Sequence, residues 1–217
     1  MPVRILHVLG GLGYGGAESM VMNLYRYIDR QKVQFDFIIY EDGKLDYNDE
    51  IISLGGKVFK SPHYNGVNTF EYIKFWNNFL SSHQEYSVIH GHVRSTASIY
   101  LLIAKKMGRK TIAHSHSTSN GKGISALGKK ILQYPIRFIS DYQMACSISA
   151  GKWLFGEKVL KSKTFLIINN AIDADKFKFS ADIRAKKKKE LGFKDQFVLC
   201  NVGRLVYPKN HEFILSI

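Results

Sequence analysis

Short apolar runs rich in branched residues alternate along the chain with segments whose apolar positions recur every three or four residues. Val3–Leu9, Val33–Tyr40, Lys57–Lys60, Val88–His92, Thr111–His114, Gln143–Ser147 and Phe165–Asn169 are runs of the first kind. Several are apolar without alternation, which predicts strands buried on both faces. Ala17–Ile28 is of the second kind: Ala17, Met20, Val21, Leu24, Tyr25 and Ile28 fall on one helical face. Asp49–Leu54, Thr69–Ser82, Ser95–Met107 and Ile124–Ile139 are further predicted helices, with a kink expected at Pro135. This alternation predicts an α/β fold, a parallel sheet with helices on both faces.

Asn170–Lys178 is the best candidate for a hinge. Beyond it, Asp182–Gly192 reads as a short helix stopped by Gly192, Phe197–Val202 as a new strand, and a helix is expected from Asn210. The predicted organisation is therefore one domain over 1–172, and over 173–217 a hinge with the truncated start of a second α/β domain.

Composition narrows the class. The chain has 217 residues, 45% hydrophobic and 23% charged, which is globular rather than disordered. Two cysteines, Cys146 and Cys200, are too few for a disulfide framework, so a reducing compartment is expected. No uncharged stretch approaches the roughly 20 apolar residues of a spanning helix, and the N-terminal apolar run breaks into glycines too early for a signal peptide. The formal net charge is +13, and its excess is concentrated: residues 104–163 carry twelve basic side chains against only Asp141 and Glu157. Such a patch attracts phosphates, nucleic acid or an anionic lipid surface.

Two clusters carry candidate chemistry. Gly10, Gly11, Gly13, Gly15 and Gly16 crowd the turn between the first strand and the first helix. Glycines there let backbone approach a ligand, and the helix start offers free N–H groups. Gly11, Gly13 and Gly16 fit the G-x-G-x-x-G spacing of dinucleotide sites, but the acidic residue expected after the second strand is supplied only loosely, by Glu41 or Asp42. Glu18 reads as a partner of the helix dipole. His90-x-His92 and His114-x-His116 each end a strand, where residues two apart share a face. A zinc site is one reading, opposed by the lack of a nearby cysteine or carboxylate. Rim imidazoles bonding sugar hydroxyls or phosphate is another, and His90, His114 and His7 read as structural.

Gly15-Gly16-Ala17-Glu18, Val88-Ile89-His90-Gly91-His92, His114-Ser115-His116, Ser147–Ser149, Ile168–Asp173 with Phe177, and Val202-Gly203-Arg204 with Lys209-Asn210 occur in an order that resembles a family-four retaining glycosyltransferase of the GT-B fold, of the kind found in bacterial polysaccharide synthesis. The resemblance implies two Rossmann-like domains facing across a cleft, the N-terminal one binding acceptor and the C-terminal one a nucleotide-sugar donor. It implies that Gly15 and Gly16 lie near the donor diphosphate and that His116 contacts the transferred sugar. Arg204 and Lys209 would neutralise the diphosphate, and Asn170 and Asp173 lead into the second domain. His116 is the catalytic candidate, and His92 and Asn170 join Gly15, Gly16, Arg204 and Lys209 as substrate-binding candidates. Ala171 stands where the family has glycine. No two glutamates are eight positions apart, so the donor-site Glu-x7-Glu motif is absent. Neither a metal nor a cofactor is expected, the nucleotide-sugar serving as substrate and a saccharide or lipid-linked molecule as acceptor. The 217 residues alone are expected to have little or no transferase activity.

Gly121–Ser140 combines apolar and aromatic residues with Lys122, Lys129, Lys130 and Arg137. Such a segment can lie on an anionic membrane surface, or it can be a core-packed helix. The expected location is cytoplasmic, with peripheral contact at the inner face of a membrane. Two alternatives remain at this stage: an NAD(P)-dependent oxidoreductase using the glycine loop, and a non-enzymatic basic binding module. A nucleic-acid partner is not expected, because no recognisable RNA- or DNA-binding pattern is present.

Overall fold

A computed structural model describes residues 2–41, 43, 45–118, 124–203 and 205–217. The chain divides into two compact units, residues 1–172 and 173–217.

The first unit is a seven-stranded sheet, every pair parallel, in the order β3-β2-β1-β4-β5-β6-β7. The strands are β1 (Val3–Val8), β2 (Val33–Ile39), β3 (Val58–Lys60), β4 (Tyr86–Gly91), β5 (Lys110–Ser115), β6 (Tyr142–Ala145) and β7 (Phe165–Ile167). Their apolar residues sort by parity onto two cores. Phe35, Phe37 and Ile39 pack with α1 (Gly16–Tyr27) and α2 (Asn48–Ser53) through Met20, Val21, Tyr25 and Ile51. On the other face Leu6, Val8, Ile38, Ile89 and Ala113 meet α3 (Thr69–Ser82), α4 (Ala97–Lys106), α6 (Ile136–Ile139) and α7 (Ile148–Phe155). Burial on both faces explains why these strands read as continuous apolar runs. The α/β fold is the Rossmann-like one expected.

Chain order runs outward from β1 to β3 and then returns to place β4 against β1. The seam between β1 and β4 is the topological switch point, where the loops at the carboxyl ends diverge and leave a crevice.

At the other end of the seam sits a closed ion-pair network. Arg4 on β1 donates two hydrogen bonds of 2.6 Å to Asp36 on β2. The Tyr86 hydroxyl (2.8 Å) and the Lys57 backbone N–H (2.7 Å) also donate to the fully buried Asp36 carboxylate. Four donors on one desolvated carboxylate tie β1, β2, β4 and the start of β3 together.

Three expectations are corrected. The helix predicted over Ile124–Ile139 is two helices, α5 (Ile124–Gln133) and α6, because proline cannot supply the N–H that would carry the first helix onward. The segment after β6 is a helix, α7, rather than a continuing strand end; the Ser147 hydroxyl caps it by accepting from Ala150 N–H at 3.2 Å.

In the second unit Phe197–Val202 forms no strand and is exposed. All seven strands among the described residues belong to the first unit. Within 173–217 the segment has no partner to complete a ladder, so its apolar pattern goes unused. That unit does hold α8 (Ala181–Glu190), capped by Ser180 and followed by Gly192 at φ +72°, and α9 (His211–Leu215).

Candidate active site

A cavity of about 370 Å³ opens at the carboxyl end of the β1/β4 seam. It is lined by Gly10 after β1, Tyr40 and Glu41 after β2, and the His92–Ser95 turn after β4. Glu18 on α1 and Lys129 and Gln133 on α5 complete it. The lining is strongly polar, with two carboxylates facing two cations. The Glu18 carboxyl is held above its usual range, first by burial and then by the like charge of Glu41, against a lowering bond to its own backbone. Glu18 is thus more than a dipole partner.

Of the glycine loop only Gly10 lines this cavity, and the predicted site residues Gly15, Gly16, Asn170 and His116 are not part of its lining. Gly10 carbonyl accepts from the backbone N–H groups of Tyr40 (3.2 Å) and Glu41 (2.9 Å), fixing the loop to the end of β2. A Cβ added at Gly15 would collide with the Glu18 carboxylate, so glycine there lets Glu18 fold back over the helix start. At Gly16, by contrast, a Cβ would meet only the Asn170 amide at 3.9 Å. The segment after β7 reaches this same helix, where the Asn23 amide donates to Ala171 carbonyl at 2.8 Å. Gly15, Gly16 and Asn170 are therefore brought together.

His92 and His116 are brought together as well, within a larger assembly. Five imidazoles, His7 on β1, His90 and His92 on β4 and the turn after it, and His114 and His116 on β5 and just beyond, lie on the sheet face that α1 covers. Rings of one strand stack, with centroids at 4.3 Å for His90–His92 and 4.1 Å for His114–His116. Rings of neighbouring strands meet by their nitrogens. His7 Nδ1 lies 3.0 Å from His92 Nε2, His92 Nδ1 lies 2.8 Å from His116 Nε2, and His90 Nε2 lies 3.3 Å from His114 Nδ1.

Burial drives every one of the five below the ordinary imidazole range: His90 to about 3, His114 to about 2 and His116 to about 4. His7 and His92 shift the same way, also by burial and then by their neighbours. All five are uncharged at neutral pH.

His7, His90 and His92, and again His92, His114 and His116, each offer three ligand atoms within 4.8 Å of one another. The donor set suits zinc, but the closest nitrogen spacings suit a hydrogen bond better. Nitrogens at 2.8–3.0 Å are at hydrogen-bond distance, closer than the roughly 3.3 Å between two nitrogens at ~2.05 Å from a tetrahedral ion.

Arg94 was not singled out by sequence. It donates to Ser117 carbonyl (2.8 Å) and hydroxyl (3.1 Å) and lies over the Trp153 ring at 4.8 Å. It thereby ties the β4 end to the β5 end beside the cavity. Its only sequence signal is its place, two residues beyond His92 in a strand-end turn. Lys209 lies in the second unit, where it ends a 3-10 turn and lays its methylenes beside Gly203. Arg204, Asp42 and residues 121–123 lie outside the described residues.

A doubly wound parallel sheet with a glycine loop and a charged cavity at its switch point defines the class, a Rossmann-like α/β lobe. Residues 14–176 match Glycosyltransferase Family 4, and the chain belongs to that family. It is 33% identical over 219 residues to the "Putative glycosyltransferase EpsF" of Bacillus subtilis (strain 168), covering 99% of this chain and 57% of that one. The chain thus spans little more than half the length of its curated relative. Among solved structures, the fold is shared with a glycosyltransferase from Rickettsia africae (TM-score 0.67, 16% identity, 89% of this chain and 50% of that one). It is shared too with Anabaena Alr3699/HepE in complex with UDP-glucose (TM-score 0.64, 15% identity, 87% and 50%).

Proposed function

We propose that this chain is the acceptor-side lobe of a glycosyltransferase that moves a sugar from a nucleotide-sugar to a hydroxyl of a saccharide or lipid-linked acceptor, with retention. The family match over residues 14–176 carries the reading; the relative named as a glycosyltransferase and the UDP-glucose complex of the HepE fold support it. Residues 173–217 are read as the hinge and opening part of the donor lobe.

The chemistry follows from charge. Departure of a nucleoside diphosphate builds negative charge, which backbone N–H groups at the start of α1 and fixed cations stabilise. Gly15 and Gly16 are assigned to the diphosphate, with Asn170 beside them and Arg204 and Lys209 as the cations. His116 is assigned to the transferred sugar and His92 to its support. Glu18, Glu41 and Arg94 present acceptors and a donor to saccharide hydroxyls. The oxidoreductase alternative is weakened at the same site, since Glu41 shares the cavity with Glu18, placing two carboxylates where a dinucleotide needs one.

The test is transfer by the protein as its gene encodes it, with a panel of nucleotide-sugars and product configuration read by proton NMR. A retained anomer is expected, and an inverted one overturns retention. Turnover by residues 1–217 alone overturns the division of labour. Gly16→Ala sharpens the test. The open space at Gly16 predicts stability within about 0.5 kcal/mol of wild type, while a methyl group in the diphosphate's path lowers transfer at least tenfold. Unchanged transfer removes Gly16 from the donor site.

Membrane contact belongs to the same proposal. Leu127, Ile131, Tyr134 and Phe138 form an exposed apolar stripe along α5 and α6, flanked by Lys129, Lys130 and Arg137, while Gln133 and Ile136 turn inward. That arrangement supports the interfacial reading over the core-packed one. Sedimentation with anionic vesicles at low salt is expected to carry the protein down, and its absence removes the membrane from the account. No helix among the described residues is long and apolar enough to cross a membrane.

A further inference from the structure

We propose that His7, His92 and His116 form one imidazole chain in which the buried His7 acts as a positioning residue, setting His116 in its Nδ1–H form. The proposal rests on the reading of His116 as a sugar-facing residue only for its consequence; the chain itself is read from geometry.

Two linked contacts make the chain: His7 Nδ1 to His92 Nε2 at 3.0 Å and His92 Nδ1 to His116 Nε2 at 2.8 Å. Each ring uses one nitrogen toward each neighbour. An uncharged imidazole has one N–H and one lone pair, so the tautomers are locked together. Only two arrangements satisfy both contacts. In the first, His7 donates to His92 and His92 to His116, leaving a bare lone pair at His7 Nε2 and an N–H at His116 Nδ1. In the second, every donor reverses.

The free ends decide between them. His7 Nε2 and His116 Nδ1 are both buried without a hydrogen-bond partner. His7 is 2% exposed, its ring 4.2 Å from that of Phe35 and 5.7 Å from that of Phe37. His116 is partly exposed. An orphaned N–H is the rarer and costlier defect. The first arrangement puts the bare lone pair among the phenylalanines and the N–H on His116, the one ring of the three that is not wholly buried. An oxygen that comes against His116 Nδ1 would then meet an N–H donor rather than a lone pair, which suits an acceptor such as a phosphate oxygen. A mid-sheet histidine on β1 thereby fixes the tautomer of a residue just beyond the end of β5.

The test is a long-range proton–nitrogen correlation spectrum of histidine side chains, recorded at pH 7.5 on the 15N-labelled chain. The expected result is the Nδ1–H form for His7, His92 and His116, opposite to the Nε2–H form that free histidine prefers. His7→Phe removes the first donor and is expected to shift His116 toward the Nε2–H form. His7→Asn, whose amide N–H falls near the place of Nδ1, is expected to restore the wild-type pattern, which separates positioning from packing. Should His7→Phe fail to fold, the wild-type spectrum still decides, because the tautomer of His116 is read there directly. An Nε2–H His116 in the wild type overturns the proposal, as does a His116 pattern indifferent to His7. Stoichiometric zinc binding that removes these N–H signals also overturns it, in favour of a metal centre. The readout needs no substrate, so failure of the transferase reading leaves it unaffected.

Discussion

Stability is expected to fall steeply as pH drops from about 6.5 toward 4. The five clustered imidazoles are held below their unfolded value by burial. Below about 6.5 the unfolded chain therefore takes up protons that the native chain refuses, and stability declines until each folded pKa is reached. Each such group contributes up to about 1.4 kcal/mol per pH unit. His90 and His114, at about 3 and about 2, together cost roughly 4 kcal/mol by pH 5. That is a large share of the ~5–15 kcal/mol typical of a domain. His7, His92 and His116 act in the same direction. Glu18 acts in the other, since its raised pKa lets the native state gain a proton first, but it is one group against five. Urea midpoints measured from pH 7.5 to 4.5 should fall continuously below 6.5. A flat profile to pH 5 would show the rings already protonated or paired, and the uncharged cluster would be refuted.

Removal of the Asp36 carboxylate should be the most damaging single truncation in the first unit. Asp36→Ala leaves the Arg4 guanidinium, the Tyr86 hydroxyl and the Lys57 N–H facing a gap in a dry seam. Breaking a buried pair by deleting one partner costs about 3–5 kcal/mol, because the survivor's charge is left uncompensated. Replacing both ends, Arg4→Met with Asp36→Leu, should cost much less than the single truncation, since no charge then remains buried. Chemical denaturation of the two variants measures the difference. A loss under about 1 kcal/mol for Asp36→Ala would mean that the network does not hold the seam.

The sheet was legible because its strands are buried on both faces: six of the seven residues of Val33–Ile39 are buried, and the run reads as apolar without a clean alternation. The glycine loop was legible from density alone. Other features needed three dimensions. Nothing along the chain tells that His7 reaches His92 across 85 positions, because parallel pairing with a crossover between is a long-range choice. Arg94 and Glu18 carry no motif of their own, and the switch point gives them meaning. The Phe197–Val202 reading failed for the converse reason. An apolar run becomes a strand only beside a partner, and residues 173–217 supply none among those described. Helix α7 escaped notice because eight residues after a strand look like its continuation until the Ser147 cap is seen.

Everything rests on the crevice between β1 and β4 being where a saccharide binds. Backbone amide shifts of the 217-residue chain, followed during titration with a panel of oligosaccharides and separately with NAD(H), test this directly. The account predicts changes confined to Gly10–Glu18, Glu41 and His92–Ser95 with a saccharide, and none with the dinucleotide. Saturable shifts at those residues with NAD(H), or saccharide shifts that map to the far end of the sheet around Asp36, would contradict it.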